Sequence, residues 1–341
     1  MAYVFAPFWW SFLAAAVAAW PIYRLLLLTK SRQKIDPHAP ETHQRKQGTP
    51  TMGGLIILVG AAMGLIMGRE LAFLGASLEG AAALSPAMDP NVISKFLAGS
   101  WILFLGFAAI GFVDDFVVPR LIKGKRGLGW KQKIILEFAL AGFASYQVFA
   151  GHWLAFGISF FLILFFSNAY NFADGLDGLA GTIWLGLAAF LVLYSPVGPV
   201  PLIGWAIAGG VVAFLFLNAP PARVFMGDVG SLPIGALLGW CVSWILLAGS
   251  GREYAPDTSM ILPLLVFSFL MIAELVPVPM QVAYFKLTKG KRLFPMTPIH
   301  HAFEKKGWPE TRVVAAFALT QLLLSLGATA ILEYGYSVQS P

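Results

Sequence analysis

The chain has 341 residues, of which 58% are hydrophobic and only 12% are charged, and its mean hydropathy is +0.75. Soluble globular chains carry about 25% charged residues, so this composition excludes a soluble enzyme and a disordered protein. The single cysteine, Cys241, permits no internal disulfide and so excludes a disulfide-stapled secreted domain. What remains is an integral membrane protein, in which the placement of the basic residues matters more than the net charge of +6.

The apolar segments predict an all-α fold. A helix needs about 20 apolar residues to cross a bilayer, and the long apolar runs here lack the alternation of membrane strands. We expect one integral membrane domain over residues 1–341, with about ten transmembrane helices. The predicted spans are 8–29, 51–68, 94–113, 133–150, 153–170, 179–195, 200–217, 232–249, 259–285 and 313–332.

The basic residues predict the orientation of these helices. With the N-terminus outside, all of the 23 Lys and Arg residues except Arg69, Lys95 and Arg252 fall in or beside the inside connections. Basic loops near a span resist translocation, so we expect both termini to be periplasmic. No basic residue precedes Arg24, and the first span is therefore expected to be a retained helix rather than a cleaved signal. The predicted inside connections are 30–50, 114–132, 171–178, 218–231 and 286–312.

Acidic residues gather at the inside ends of the spans. One such residue can simply be solvated, but five aspartates from three connections on one face favour a functional site. Asp114 and Asp115 are adjacent and point about 100° apart on a helix, so one is expected to face a metal or phosphate while the other orients a base or a lysine. Glu137 and Glu274, within spans, are expected to make helix–helix hydrogen bonds. The five aspartates are Asp114, Asp115, Asp174, Asp177 and Asp228.

Polar residues also recur every third position in Asn168, Asn171, Asp174 and Asp177. This spacing places neighbours on one helical face, where amides and carboxylates can bind a nucleobase or sugar and hold a hard cation. Gly175 permits a tight turn or a close backbone approach by a ligand. The alternative is a capped turn between two helices.

Two further segments contain candidate ligand-binding groups. Asp228 lies in a glycine-rich stretch before a helix start, where free backbone amides can bind phosphate, and Phe225 offers either a stacking face for a base or an interfacial anchor. His300 and His301 titrate near neutral pH and can bind metal, phosphate or a proton in transit. Their basic loop can alternatively lie on anionic lipid.

These groups fit magnesium and diphosphate chemistry. Mg²⁺ prefers one or two carboxylates and phosphate oxygens, and a cation on a diphosphate neutralises charge on the leaving nucleotide. At the edge of the bilayer, the attacking phosphate can belong to a lipid. We expect no nucleic-acid partner, because the basic residues follow the membrane topology.

Five groups of residues together resemble one family, in order along nearly the whole chain. They resemble the phospho-N-acetylmuramoyl-pentapeptide transferases, a branch of the polyprenyl-phosphate sugar-1-phosphate transferases. The aspartate pair is shared across that superfamily, whereas the first and last groups indicate the muramoyl-pentapeptide branch. The groups are Gly-Thr-Pro-Thr-Met-Gly-Gly at 48–54, Asp114 with Asp115, the run 171–178, the run 225–228 with Gly230 and Ser231, and the run 298–301 with Glu304.

The resemblance implies a ten-helix protein of the bacterial cytoplasmic (inner) membrane, with its active site on the cytoplasmic face. It implies transfer of phospho-MurNAc-pentapeptide from UDP-MurNAc-pentapeptide to undecaprenyl phosphate, which yields lipid I and UMP in peptidoglycan synthesis. Membrane lipid and a second copy in a homodimer are further implied partners. One alternative is transfer of GlcNAc-1-phosphate from UDP-GlcNAc. An ion-coupled transporter is disfavoured, because the acids gather at one face without paired broken helices.

The resemblance also implies roles for particular residues. Asp228 would bind Mg²⁺. Asp114 and Asp115 would activate the phosphate, one of them as a general base, and the catalytic His300 would lie near the phosphates or the metal. A direct mechanism and a covalent aspartyl phosphate both remain open. Phe225 would stack on uracil, and Lys131 would face the diphosphate. The full set of implied substrate contacts is Lys46, Thr51, Lys131, Asn171, Asp174, Gly175, Leu176, Asp177, Asn218, Phe225 and His301.

The chain departs from the family pattern at three places. Val118 replaces the usual Lys or Asn, and we expect Arg120 to supply the missing polar group. Ala302 replaces the third histidine of the last loop. Pro277 replaces a serine, and with Pro279 it is expected to interrupt the ninth span, giving a bent helix that borders a lipid groove.

Overall fold

The computed structural model describes residues 2–29, 46, 48–78, 90–122, 124–125, 127–194, 198–248 and 254–339. Over these residues the chain is helical and contains no β-strand, which confirms the all-α prediction. Most of the first predicted inside connection, and Arg252 in a predicted outside connection, lie outside the described residues. Seven helices in the described ranges are long and apolar enough to cross a membrane: Phe5–Leu28, Asn91–Leu121, Trp153–Ala173, Pro199–Asn218, Asp228–Ala248, Thr258–Leu287 and Glu310–Gly335.

A helix underlies each of the ten predicted windows. The ninth window is divided at Val276, just before Pro277, as its prolines predicted. A π-helical turn at Val113–Val117 and a 3₁₀ turn at Thr258–Met260 complete the pattern. The α-helices are α1 (Ala2–Leu28), α2 (Gly54–Leu78), α3 (Pro90–Phe112), α4 (Val118–Leu121), α5 (Trp130–Phe149), α6 (Trp153–Ala173), α7 (Leu179–Tyr194), α8 (Pro199–Asn218), α9 (Asp228–Ala248), α10 (Ile261–Leu275), α11 (Pro277–Leu287), α12 (Ile299–Lys305) and α13 (Glu310–Gln339).

Helix α9 forms the centre of the bundle. It is buried along most of its length and packs against α6, α3 and α2. Small residues recur every fourth position at Ser231, Gly235 and Gly239, a pattern that lets membrane helices approach closely. A Cβ atom on Gly235 would lie 2.4 Å from the carbonyl oxygen of Phe166 in α6. The close packing places the first residue of α9, Asp228, in the middle of one end of the bundle.

Candidate active site

The helix that carries the two adjacent aspartates changes its geometry at that point. α3 ends at Phe112, and in the π turn that follows the N–H of Val118 donates to the carbonyl oxygen of Val113. Such turns insert an extra residue into a helix and are frequent at functional sites. Asp114 and Asp115 both lie in this turn, which projects them toward the start of α9.

Three carboxylates meet at this place. Asp114, Asp115 and Asp228 each offer an oxygen atom, and these atoms lie within 4.8 Å of one another. The backbone N–H of Leu128 donates to Asp114 Oδ1 at 2.8 Å. The backbone N–H of Val229 donates to Asp115 Oδ2 at 3.2 Å. Each member of the adjacent pair therefore has its own anchor, and we call the three residues the carboxylate cluster.

Two glycines leave space beside the carboxylate cluster. Gly227 has a φ of +72°, and a Cβ atom there would lie 2.5 Å from Asp115 Oδ2 and 2.6 Å from Thr51 Oγ1. A Cβ atom on Gly127 would lie 2.6 Å from Asp114 Oδ2. A larger residue at either position would displace a carboxylate, and at Gly227 it would also strain the backbone.

Asp228 is held by two side chains from neighbouring helices. Lys133 Nζ of α5 lies 2.5 Å from Asp228 Oδ2, and Asn171 Nδ2 of α6 donates to Asp228 Oδ1 at 2.8 Å. The same amide donates to Ser231 Oγ at 2.8 Å. Asn171, a predicted site residue, thus lies directly against the carboxylate cluster.

Lys133 was not among the predicted site residues, whereas Lys131 was. The ammonium of Lys131 lies 5.5 Å from the centre of the Trp130 ring, and its side chain is exposed. Residues two apart point about 200° apart on a helix, so only one of the two lysines can face α9. The sequence contained one signal that favours Lys133: it precedes the buried Glu137 by four residues and therefore shares its helical face.

Asp174 adds a fourth carboxyl group near the carboxylate cluster. It ends α6 and begins the connection to α7. Burial raises the pKa of Asp174 well above its usual value, and the negative charges of Asp228 and Asp115 raise it further. A hydrogen bond from the backbone of Gly227 acts in the opposite direction. Acidic groups that raise one another's pKa in this way favour the binding of a cation between them.

The geometry of the carboxylate cluster suits Mg²⁺. The three carboxylate oxygens lie within 4.8 Å of one another, so several acidic ligands are available to one cation. The donors are all oxygen atoms, which this hard cation prefers.

The segment 50–54 is fixed against the segment that leads into α9. The N–H of Phe225 donates to the carbonyl oxygen of Pro50 at 2.8 Å, and the N–H of Gly53 donates back to the carbonyl oxygen of Phe225 at 2.7 Å. Thr51 is buried between them. The Phe225 ring is half-buried, so part of its surface is accessible on a rigid backbone.

A second charged group lies on the far side of the 171–178 run. Lys46 Nζ lies 2.7 Å from Asp177 Oδ1 and 2.6 Å from Glu310 Oε1. Asn218 accepts from the N–H of Gly178 at 3.0 Å and donates to the carbonyl oxygen of Val224 at 2.9 Å. Glu310 was not predicted, and the sequence shows it only as an acid at the start of the last helix.

The two histidines lie in α12, and each contacts an acidic side chain. His300 Nδ1 is 2.9 Å from Glu274 Oε2, and both side chains are completely buried. A Cβ atom on Gly175 would lie 2.3 Å from His300 Nε2, so the imidazole packs directly against the 171–178 run, where Leu176 is also buried. His301 Nδ1 lies 2.7 Å from a carboxylate oxygen of Glu304.

Three other expectations concern residues near the site. Asn168 of α6 donates to Glu137 of α5 at 2.9 Å, which is the expected helix–helix hydrogen bond, while Glu274 of α10 bonds to α12 through His300. The guanidinium of Arg120 donates to the carbonyl oxygen of Thr29 and lies 3.8 Å from the centre of the Phe116 ring. Both of these contacts of Arg120 are with groups outside the carboxylate cluster.

Comparisons with known proteins agree with the sequence resemblance. The family model for glycosyl transferase family 4 matches residues 97–246, and the phospho-N-acetylmuramoyl-pentapeptide-transferase signature 1 matches residues 46–58. Similar proteins carrying the name phospho-N-acetylmuramoyl-pentapeptide-transferase include one from Picosynechococcus sp., 37% identical over 94% of this chain and 86% of the relative. Another, from Heliobacterium modesticaldum, is 36% identical over 92% and 94%. A third, from Clostridioides difficile, is 34% identical over 87% of each chain.

Proposed function

Because this chain belongs to the phospho-N-acetylmuramoyl-pentapeptide-transferase family, we propose that the carboxylate cluster is the centre at which it transfers its phosphosugar. The reaction moves phospho-MurNAc-pentapeptide from UDP-MurNAc-pentapeptide to undecaprenyl phosphate and yields lipid I and UMP. The observation that carries this placement is the meeting of three carboxylates from two separate chain segments within 4.8 Å. Acids held this close repel one another unless a cation or a developing positive charge is present.

The reaction exchanges one phosphoryl bond for another. An oxygen of the lipid phosphate attacks the phosphorus that bears the sugar, the bond from that phosphorus to the bridging oxygen breaks, and UMP leaves with that oxygen. A phosphate monoester has a second pKa near 6, so a fraction of the acceptor is protonated near neutral pH. One of Asp114 and Asp115 accepts that proton. Lys133, fixed by Asp228, offers positive charge to the diphosphate.

Magnesium belongs to the same proposal, with Asp228 as its main protein ligand. When bound, it neutralises negative charge that develops on the departing UMP. Asn171 orients the Asp228 carboxylate through its 2.8 Å hydrogen bond. The glycines at 127 and 227 keep the space beside Asp114 and Asp115 open to a ligand.

The nucleotide is assigned to the side of the site that faces away from α5. The half-buried Phe225 ring is assigned to stack on the uracil. Its backbone hydrogen bonds to the 50–54 segment hold the ring in place for this contact. His300 and Lys131 stay assigned to the phosphates on family likeness. The remaining nucleotide contacts are Lys46, Thr51, Asn171, Asp174, Gly175, Leu176, Asp177, Asn218 and His301.

The membrane arrangement also belongs to the proposal: ten spans in the bacterial inner membrane, with both termini periplasmic and a homodimer as the assembly. Hydrogen bonds in and beside the predicted inside connections support this arrangement of the helices. Lys46 bonds to Asp177 and Glu310, and Gly53 bonds to Phe225. The acceptor's chain is assigned to the bend between α10 and α11. An apolar cavity of about 200 Å³ lies there, lined by residues that include Pro277, Phe294 and Phe303.

The test is a reconstitution of the full-length protein in detergent with undecaprenyl phosphate. UDP-MurNAc-pentapeptide and UDP-GlcNAc are supplied in parallel, each with Mg²⁺ or with a chelator, and both UMP and the lipid product are measured. We expect product only from UDP-MurNAc-pentapeptide and only with the metal. Product from UDP-GlcNAc alone would overturn the donor assignment, and full activity with the chelator would overturn the metal assignment.

A further inference from the structure

Glu310 is the meeting point of two donors from the nucleotide side of the site. One oxygen, Oε1, lies 2.6 Å from Lys46 Nζ and accepts from the backbone N–H of Asp177 at 2.7 Å. Asp177 contributes its own carboxylate, with Oδ1 at 2.7 Å from Lys46 Nζ and Oδ2 accepting from the N–H of Ala222 at 2.9 Å. Glu310 thus ties together three segments that are distant in the sequence.

The position of Glu310 in its helix explains why it can serve as an anchor. It is the first residue of α13 and follows Pro309, and an acid at this end is favoured by the helix dipole. Helix α13 packs against α7 and α10 in the bundle, so the helix holds the carboxylate at a fixed place. The side chains of Lys46 and Glu310 are 19% and 20% exposed, which leaves the pair within reach of a ligand.

The ammonium of a lysine has three N–H donors. At Lys46, two of them are directed at Asp177 and Glu310, and the tetrahedral geometry of the nitrogen then sets the direction of the third. A lysine that is not held in this way must give up its rotamer freedom when a ligand binds. Ordering it beforehand therefore strengthens binding without adding any contact to the ligand.

We propose that Glu310 is a positioning residue of the donor-nucleotide site: it fixes Lys46 and the Asp177 backbone so that the third N–H of Lys46 meets an acceptor oxygen of the nucleotide. This inference rests on the proposed function, which assigns Lys46 and Asp177 to the nucleotide. Glu310 itself touches neither the nucleotide nor the reacting phosphates. Lys46 keeps its second carboxylate partner, Asp177, when Glu310 is removed, so the main effect is expected in affinity rather than in folding.

The experiment compares Glu310→Ala and Glu310→Gln with the unmodified full-length protein. UMP binding is measured by calorimetry, and KM and kcat are measured with UDP-MurNAc-pentapeptide. We expect Glu310→Ala to weaken UMP binding and raise KM about three- to tenfold, the effect of losing one pre-ordered side chain, while kcat at saturating donor changes by less than about twofold. Glu310→Gln should lie between, because its carbonyl oxygen still accepts from both donors.

A matched control and a double-mutant cycle separate positioning from a general structural effect. Glu333→Ala removes an exposed acid near the other end of α13 and should leave UMP binding unchanged. In a Lys46→Ala background, Glu310→Ala should lose most of its effect on kcat/KM, because it acts through that lysine.

Several results would overturn the role of Glu310. Unchanged UMP binding in Glu310→Ala would do so, as would a fall in kcat with KM unchanged. Tighter binding would mean that the carboxylate occupies the place of the nucleotide. If the unmodified protein does not bind UMP at all, the proposed function fails and this inference fails with it, whereas normal binding in Glu310→Ala contradicts the inference alone.

Discussion

The carboxylate cluster and the His300–Glu274 pair are two different arrangements of acidic groups in this protein: the cluster is half-buried, whereas the pair is completely buried. In the cluster, three acids lie within 4.8 Å with Asp174 close by, and Lys133 is the ammonium that the described structure pairs with it. In the pair, one carboxylate meets one imidazole at 2.9 Å, and both are completely buried. The cluster therefore has an excess of negative charge, whereas the pair supplies its own partner.

This difference indicates different functions. Like charges held together are unfavourable, so an unbalanced cluster is retained where a ligand or ion completes it. The buried pair joins α10 and α12, and its imidazole packs against the 171–178 run. We therefore expect chemistry to depend on the cluster and the alignment of the loops to depend on the pair.

The largest effect is expected from Asp228→Ala. The change removes the carboxylate that both Lys133 and Asn171 bind, and with it the main proposed ligand of Mg²⁺. Turnover should fall by about 10³-fold or more, the scale seen when a charge-stabilising group is lost from an active site. UMP release with Mg²⁺ measures this, and thermal unfolding checks that the protein remains folded.

The matched control for that experiment is Asp257→Ala. Asp257 caps the 3₁₀ turn before α10 through Ser259, so the variant removes an aspartate outside the carboxylate cluster. If Asp228→Ala kept substantial Mg²⁺-dependent turnover, the cluster would not be the catalytic centre, and the contrast between the two regions would be lost.

The next largest effect is expected from replacing a lysine of α5, and it tests which lysine acts at the carboxylate cluster. Lys133→Met removes the ammonium that pairs with Asp228, so we expect kcat to fall about 10- to 100-fold, as for loss of a hydrogen bond to a charged group. Lys131→Met should have a smaller effect, because that side chain points toward Trp130 and solvent. Steady-state kinetics on both variants show which lysine contributes more to kcat.

Lys95→Met, an exposed lysine in α3, serves as the control for that comparison. A larger loss in Lys131→Met than in Lys133→Met would contradict the contacts of α5 and favour the assignment made by family likeness.

The two lysines also show how far sequence reasoning extends. Apolar runs fix where helices form, because the membrane leaves the backbone no other way to satisfy its hydrogen bonds, and a helix was found at every predicted window. The predicted acids at one end do converge, since short connections place alternate helix ends on one side. Which lysine of α5 faces Asp228 depends on the rotation of that helix against α9, and the sequence indicates that rotation only through the four-residue spacing of Lys133 and Glu137.

Long-range pairings were missed for the same reason. Glu310 and Lys46 are at opposite ends of the chain, and nothing near either residue predicts the partner. Glu274 was expected to bond to another helix, and it does so through His300, but the sequence did not name that partner. The π turn at Val113–Val117 also had no sequence signal, since the residues Val-Asp-Asp-Phe-Val fit an ordinary helix end.

The smallest effect is expected from Glu274→Gln, and this variant tests the other side of the comparison. The glutamine oxygen can still accept a hydrogen bond from the Nδ1 of His300. The substitution removes a buried carboxylate, of which one oxygen has no hydrogen-bond partner among the described residues. Because the amide preserves the shape of the pair, we expect kcat/KM to fall no more than about tenfold, with a change in unfolding free energy of about 1 kcal/mol. Kinetics and thermal unfolding of the variant measure both. A loss as large as that of Asp228→Ala, with the protein still folded, would mean that the charge of Glu274 takes part in the reaction through His300. Glu274 would then contribute to the chemistry and not only to the position of His300.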